Sequence, residues 1–218
     1  MHEALKVLYA QDGDQLEAPL GSYFLDVYRQ NLVIEIQTGN FSALKPKLQE
    51  LLDVIPVLVV YPLAHEKIII RTQAEHNTII STRRSPRKRT YIDLFDEIVR
   101  ISNFISHPNF SLEVLLVSME EIWINDGKGS WRRKHWSIAD RRLRRIIDRR
   151  LFSSPRDYLD LIDMKLELFT VKDISRSLDI SQRLASKIAY TMRKMGKFNV
   201  LSKQGNAFIY HMDQNSQA

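Results

Sequence analysis

Two acids and an amide fall in a pattern suited to metal-assisted phosphate chemistry. In YFLDVYRQNLVIEIQTGN (23–40), Asp26 shares a face with Phe24 and Tyr28, and Glu35 shares one with Val33 and Gln37, because alternate strand residues point the same way. With Gln30-Asn31 as a two-residue hairpin turn, Arg29 pairs with Leu32, Tyr28 with Val33 and Asp26 with Glu35. The two carboxylates then face each other with β-carbons about 4.5–5.5 Å apart. Like charges so placed repel, and a hard divalent cation such as Mg²⁺ or Mn²⁺ relieves the repulsion through carboxylate oxygens, waters and a substrate phosphate. Gln37 points toward the same metal-bound water or phosphate. A surface pair without chemistry would also fit a half-exposed sheet. Polar residues breaking two apolar strands at facing positions argue for a site.

The elements around this hairpin follow from apolar spacing and turn residues. His2 to Gln11 has Ala4, Leu5, Leu8 and Tyr9 at helical spacing, and Asp12-Gly13-Asp14 stops it. Gln15 to Ala18 reads as a short strand. After Thr38-Gly39, Asn40 or Ser42 caps a helix to about Asp53, with Pro46 in its first turn. Val57–Tyr61 is an apolar strand bounded by prolines, and Lys67–Thr72 is another. A helix between strands is the crossover expected of a parallel pair.

Asp26, then Glu35-Ile36-Gln37, then a helix and the strand Val57–Tyr61, resembles the PD-(D/E)xK nuclease superfamily, which includes restriction enzymes and archaeal Holliday-junction resolvases. The resemblance covers about the first third of the chain. It implies an α/β (α+β) fold with a restriction-endonuclease-like mixed sheet flanked by helices, and metal-dependent phosphodiester cleavage. Asp26 and Glu35 would be the metal ligands, and Gln37 stands where the family usually has lysine. That departure leaves Lys45 or Lys47, on the next helix, to supply the charge. An N-terminal acid sometimes completes such sites, which makes Glu17 a third candidate ligand.

Composition narrows the partners. The net charge is +6 and the pI about 9.5, which favours an acidic partner, nucleic acid first. With no cysteine, a disulfide frame and thiolate chemistry are excluded, and a reducing cytoplasm is the expected compartment. No apolar run suggests a membrane span or signal peptide. The G-x-x-x-x-G-K-[ST], H-E-x-x-H and G-x-S-x-G motifs are missing.

Past residue 75 the chain reads as a basic extension to residue 152. Ser81–Arg89 is expected to be a loop that sets Arg83, Arg84, Arg87 and Lys88 against phosphates. Tyr91–Ile105 has the pattern of an amphipathic helix and Ser111–Ile124 that of a strand. Asn125–Gly129 would turn into a second strand holding Trp131, Arg132, Arg133, Lys134 and Trp136, aromatics and cations that suit either nucleic acid or a Trp-packed hairpin. Asp140–Leu151 reads as a helix with Leu143, Ile146, Ile147 and Leu151 inward and arginines outward.

Ser153-Ser154-Pro155 marks a boundary, with a second domain at 153–212 and a polar tail at 213–218. There, FTVKDISRSLDISQRLASKIAYTMRKMGKFNVL and the turn Ser202–Asn206 spell helix, tight turn, helix and β-hairpin. This resembles a winged helix-turn-helix domain. The resemblance implies a recognition helix from Ser181, with Ser181, Gln182, Arg183, Ser186 and Lys187 toward DNA and Lys203 on the wing. The expected function is a metal-dependent DNA endonuclease acting on double-stranded DNA, with a homodimer suited to cutting both strands. The alternative is a non-catalytic DNA-binding or regulatory protein on an inactivated nuclease fold.

Overall fold

The computed structural model describes residues 1–73, 78–164 and 166–212. The polar tail expected at 213–218 lies outside them. The chain forms a seven-stranded mixed sheet with helices on both faces and a separate three-stranded antiparallel sheet at its C-terminal end.

Helix α1 (His2–Tyr9) leads into the meander β1 (Gln15–Leu20), β2 (Tyr23–Arg29) and β3 (Leu32–Ile36). The hairpin turns at Gln30-Asn31, and Arg29↔Leu32 and Tyr28↔Val33 pair as their alternation requires. Gln30 takes φ 43° there. Asn40 caps the following 3-10 turn by accepting from Ser42 N–H at 2.9 Å. Helix α2 (Lys45–Leu51) then crosses over to β4 (Val57–Thr72), which runs parallel to β3. The two strands expected at 57–61 and 67–72 are thus one strand, bulged near His65.

Along one edge, β4 pairs with β6 (Phe110–Ile124) over its whole length. Along the other it pairs with β3 through Val60 and with β5 (Ile79–Arg84) from Ile68. Residues 79–84 therefore form a strand, which takes in Ser81–Arg84 of the loop expected at 81–89. Ile79 and Ile80 are followed by Ser81, Thr82 and two arginines with no apolar alternation to mark a strand, and every residue in it is exposed. Tyr91–Ile105 is not one helix. It breaks into a 3-10 turn (Tyr91–Leu94), α3 (Phe95–Ile98) and another 3-10 turn (Val99–Ile101), and its β-branched run favours such short pieces.

The largest departure is β7 (Ser137–Phe152), a strand where the spacing predicts a helix. Its ladder with β6 skips Ile147, Arg144 and Ala139 in turn. Each skip is a β-bulge that inserts one residue. Three insertions stretch a two-residue period until it imitates a helical one. Trp131–Arg133, expected in a strand, forms a 3-10 turn followed by left-handed Lys134 and His135.

After α4 (Pro155–Leu159), strand β8 (Leu168–Phe169) joins the hairpin β9 (Phe198–Gln204) and β10 (Ala207–Met212). Between them stand α5 (Val171–Ser177) and α6 (Gln182–Lys194). Thr170 caps α5 by accepting from Asp173 N–H (3.4 Å) while the Asp173 carboxylate accepts from Thr170 N–H (2.9 Å), and Ser181 caps α6 by accepting from Leu184 N–H (3.3 Å). Gly196, at φ 72°, ends α6 as a left-handed cap. Phe169, Phe198 and Tyr210 cluster beneath the hairpin.

Two buried layers hold the fold. On one face of the large sheet Leu5 of α1 packs on Val27, Ile34, Ile36, Val60, Leu115, Val117 and Met119. On the other face a single continuous core joins the sheet, α2, α3 and the C-terminal helices. The C-terminal end is therefore docked, with Lys187 Nζ bonded to Asp96 Oδ1 at 2.7 Å.

Candidate functional site

The β2–β3 ladder stops at Val27↔Ile34, one pair short of Asp26 and Glu35. The cause lies in β1. Glu17 has φ 50°, and the β1–β2 ladder passes from Leu16↔Val27 to Ala18↔Leu25 without pairing Glu17 and Asp26. Leu25 joins the core under α2, whereas Val27 joins the core under α1. Strand β2 thus turns over at Asp26. Its carboxylate enters the opened gap, where Oδ2 accepts from Ile36 N–H at 2.7 Å and meets His2 Nε2 of α1 at 3.2 Å.

Glu35 points to the α2 side and is 3% exposed. Lys47 Nζ donates to its Oε2 at 2.7 Å and to the Phe24 carbonyl at 2.6 Å. Its Oε1 is buried with no hydrogen-bond partner. Burial pushes the Glu35 carboxyl above its ordinary range; Lys47 pulls it down, and the nearby Asp26 charge pushes it up again. The net direction is upward.

The structure sorts the other expected site residues. Lys47 is at the site, and Lys45, two residues earlier on α2, is exposed and away from it. Gln37 donates to the Asn40 carbonyl at 2.6 Å and braces the strand exit. Glu17 is turned to Lys6 Nζ of α1 at 2.5 Å. His2 was not singled out by sequence: it lies 24 residues from Asp26 with no local motif to mark it. Among the described residues no three of His, Cys, Asp and Glu gather as a ready metal cage. The orphaned, buried Oε1 of Glu35 nonetheless fits a hard cation, since such an atom calls for a donor or a metal.

The expected nucleic-acid contacts divide in the same way. Arg83 and Arg84 stand exposed on β5, with Lys88 beyond them. Arg87 is held by Asp93 at 2.8 Å. Arg133 bonds the Trp136 carbonyl at 3.1 Å and Lys134 is exposed; the Arg132 side chain is outside the described residues. On α6 and its cap, Ser181, Gln182, Arg183 and Ser186 are exposed, whereas Lys187 is turned inward to Asp96. Lys203 lies over the Phe208 ring at 5.7 Å. The arginines of β7 mostly meet acids, Arg141 with Glu121 (3.3 Å) and Arg144 with Glu120 (3.4 Å) among them. Among the described residues, no helix is long and apolar enough to cross a membrane.

Residues 1–153 match the family described as "Domain of unknown function (DUF8091)". An uncharacterized protein of Treponema pallidum (strain Nichols) is 27% identical over 216 residues, spanning 98% of this chain and 84% of that protein. No solved structure matches. The match over residues 1–153 takes in the whole seven-stranded sheet, and the chain belongs to the DUF8091 family.

Proposed function

We propose that this DUF8091 chain is a metal-dependent nuclease with a restriction-endonuclease-like core, acting on double-stranded DNA held by a C-terminal winged helix-turn-helix. The observation that carries the reading is Glu35, a buried carboxylate with a lysine on one oxygen and nothing on the other. The order of elements supports it. One helix, a three-stranded meander, a crossover helix and a parallel strand carry the two acids on the second and third strands.

Glu35 Oε1 and the Asp26 carboxylate would hold Mg²⁺ or Mn²⁺. That ion supplies a water of lowered pKa and positive charge for the phosphate. His2 and Ile36 N–H orient Asp26. Lys47, set between Glu35 and the Phe24 carbonyl, supplies the ammonium that Gln37 lacks and meets a phosphate oxygen. Glu17 would join the ligands by leaving Lys6. A cysteine-free chain suits a cytoplasmic setting, and cutting both strands calls for two copies.

A second reading, a non-catalytic DNA-binding protein on the same fold, is favoured by one observation: both acids already have partners within the chain. Supercoiled-plasmid cleavage with Mg²⁺ or Mn²⁺ decides between them. Wild type should nick or linearise the plasmid, and Asp26→Asn and Glu35→Gln should each abolish this. A wild type inert with both metals establishes the second reading. Cleavage that survives both substitutions removes these residues from the chemistry.

A further inference from the structure

Far along the sheet from Glu35, a hollow of about 440 Å³ is lined by Lys67, Arg84, Lys88, Arg144 and Arg145 against one carboxylate, Glu66. Its floor is β4 and β6, through Ile68 and Ser118. Its rails are Arg84 and Lys88 on the β5 side and Arg144 and Arg145 on β7. The strand order there is β5-β4-β6-β7, which sets the rails about 14 Å apart at the backbone.

A bulge builds one rail. The ladder passes from Ser118↔Arg145 to Met119↔Leu143, leaving Arg144 as an inserted residue. In a regular strand Arg144 and Arg145 would face opposite sides. Here both line one hollow, and bulges re-aim side chains in this way beside functional sites. Arg145 and Arg144 have acids within reach, Glu66 at 3.3 Å and Glu120 at 3.4 Å. On the opposite rail Lys88 acts on Glu66 through its charge, and Arg84 is exposed. Cations gathered from three strands and a loop repel one another, and a polyanion removes that cost.

We infer that this hollow seats the phosphate backbone of a single-stranded nucleic acid. Two features select a strand. The rails face each other across a gap that long side chains narrow further, a slot for one sugar-phosphate backbone rather than the two that a duplex presents. An adjoining hollow of about 220 Å³ shares Lys67 and Ser85 and adds Arg87, Arg89 and Arg141, with Glu121 among them paired to Lys67 and Arg141. Cations spread over two joined hollows match phosphates spread along a chain more closely than one compact anion. The inference is independent of cleavage and of the winged-helix reading.

The test is fluorescence anisotropy in EDTA, with the full chain and a labelled strand of about 20 nucleotides, between about 50 and 200 mM salt. The same strand in a duplex is run alongside. The double variant Arg84→Ala/Lys88→Ala should bind the strand about tenfold more weakly, with its salt slope reduced by about 1.4, two contacts at about 0.7 each. Arg144→Gln/Arg145→Gln should move the same way, and both variants should melt as wild type does. Duplex binding should fall less than strand binding in both variants. Unchanged strand binding in both variants overturns the inference, as does an equal loss on duplex or a wild type that ignores the strand. Displacement of the strand by an equimolar amount of inorganic tripolyphosphate also overturns it, assigning the hollow to a small polyphosphate.

Discussion

Glu35 and Glu121 are buried alike, at 3% and 6% exposure, and are provisioned differently. Glu121 has both oxygens engaged: Arg141 reaches Oε1 at 3.3 Å, and Lys67 and the Trp123 indole N–H reach Oε2, each at 3.2 Å. Burial pushes its carboxyl up, yet Lys67, Trp123 and Arg141 outweigh burial and the net direction is down. Glu35 has Lys47 and a weaker pull from the Asp26 backbone N–H, burial outweighs both, and the net direction is up. A saturated buried acid is scaffolding. A half-satisfied one is a standing cost to the fold, and such costs persist where a ligand or substrate offsets them.

If the proposed cleavage holds, it is where the contrast should be largest. Glu35→Gln should lower Mg²⁺-dependent plasmid cleavage by more than about 100-fold, while Glu121→Gln stays within about twofold of wild type. Equal losses in the two variants would erase the distinction between site and scaffold.

Stability at neutral pH should separate the lysines next. Lys47→Met leaves Glu35 as an uncompensated buried charge and should cost about 3–5 kcal/mol in urea unfolding. Lys67→Met should cost under about 1 kcal/mol, because Arg141 and Trp123 still hold Glu121 and Lys67 is itself partly exposed. Smaller again is the effect expected of Glu35→Gln on folding, within about 1 kcal/mol of wild type. It removes a buried charge and leaves an amide oxygen that can accept from Lys47.

How much of this was legible depends on where the backbone stays regular. The hairpin at Gln30-Asn31 and its register came through because alternation and turn chemistry agree there. The cap at Asn40, one of two candidates, came through for the same local reason. Lys47 was one of two candidates, and only the helix's rotation could choose between it and Lys45. The facing of Asp26 and Glu35 was spoiled by Glu17, whose left-handed backbone turns β2 over; a glutamate gives no sign of positive φ. Strand β7 was hidden by its own bulges, which set Leu143, Ile146 and Ile147 at a helix-like spacing. The meeting of His2 with Asp26, and of the β7 rail with the one on the β5 side, are products of long-range pairing, which no local pattern encodes.

The smallest effect is also the sharpest, because the two glutamates should respond to pH with opposite sign. Both have an ordinary value of 4.5. Glu35 binds its proton more tightly folded than unfolded, so its contribution is whole below that value and is lost as pH rises through the folded pKa. Glu121 binds its proton less tightly folded, so its contribution is whole above that value and is lost as pH falls through the folded pKa. Unfolding free energies from about pH 3 to 7 should therefore show Glu35→Gln gaining on wild type as pH rises above the ordinary value. Glu121→Gln should gain on wild type as pH falls below it. Curves that shift in parallel would mean that Lys47 alone satisfies Glu35, and the orphaned oxygen would then lose its claim to mark a metal seat.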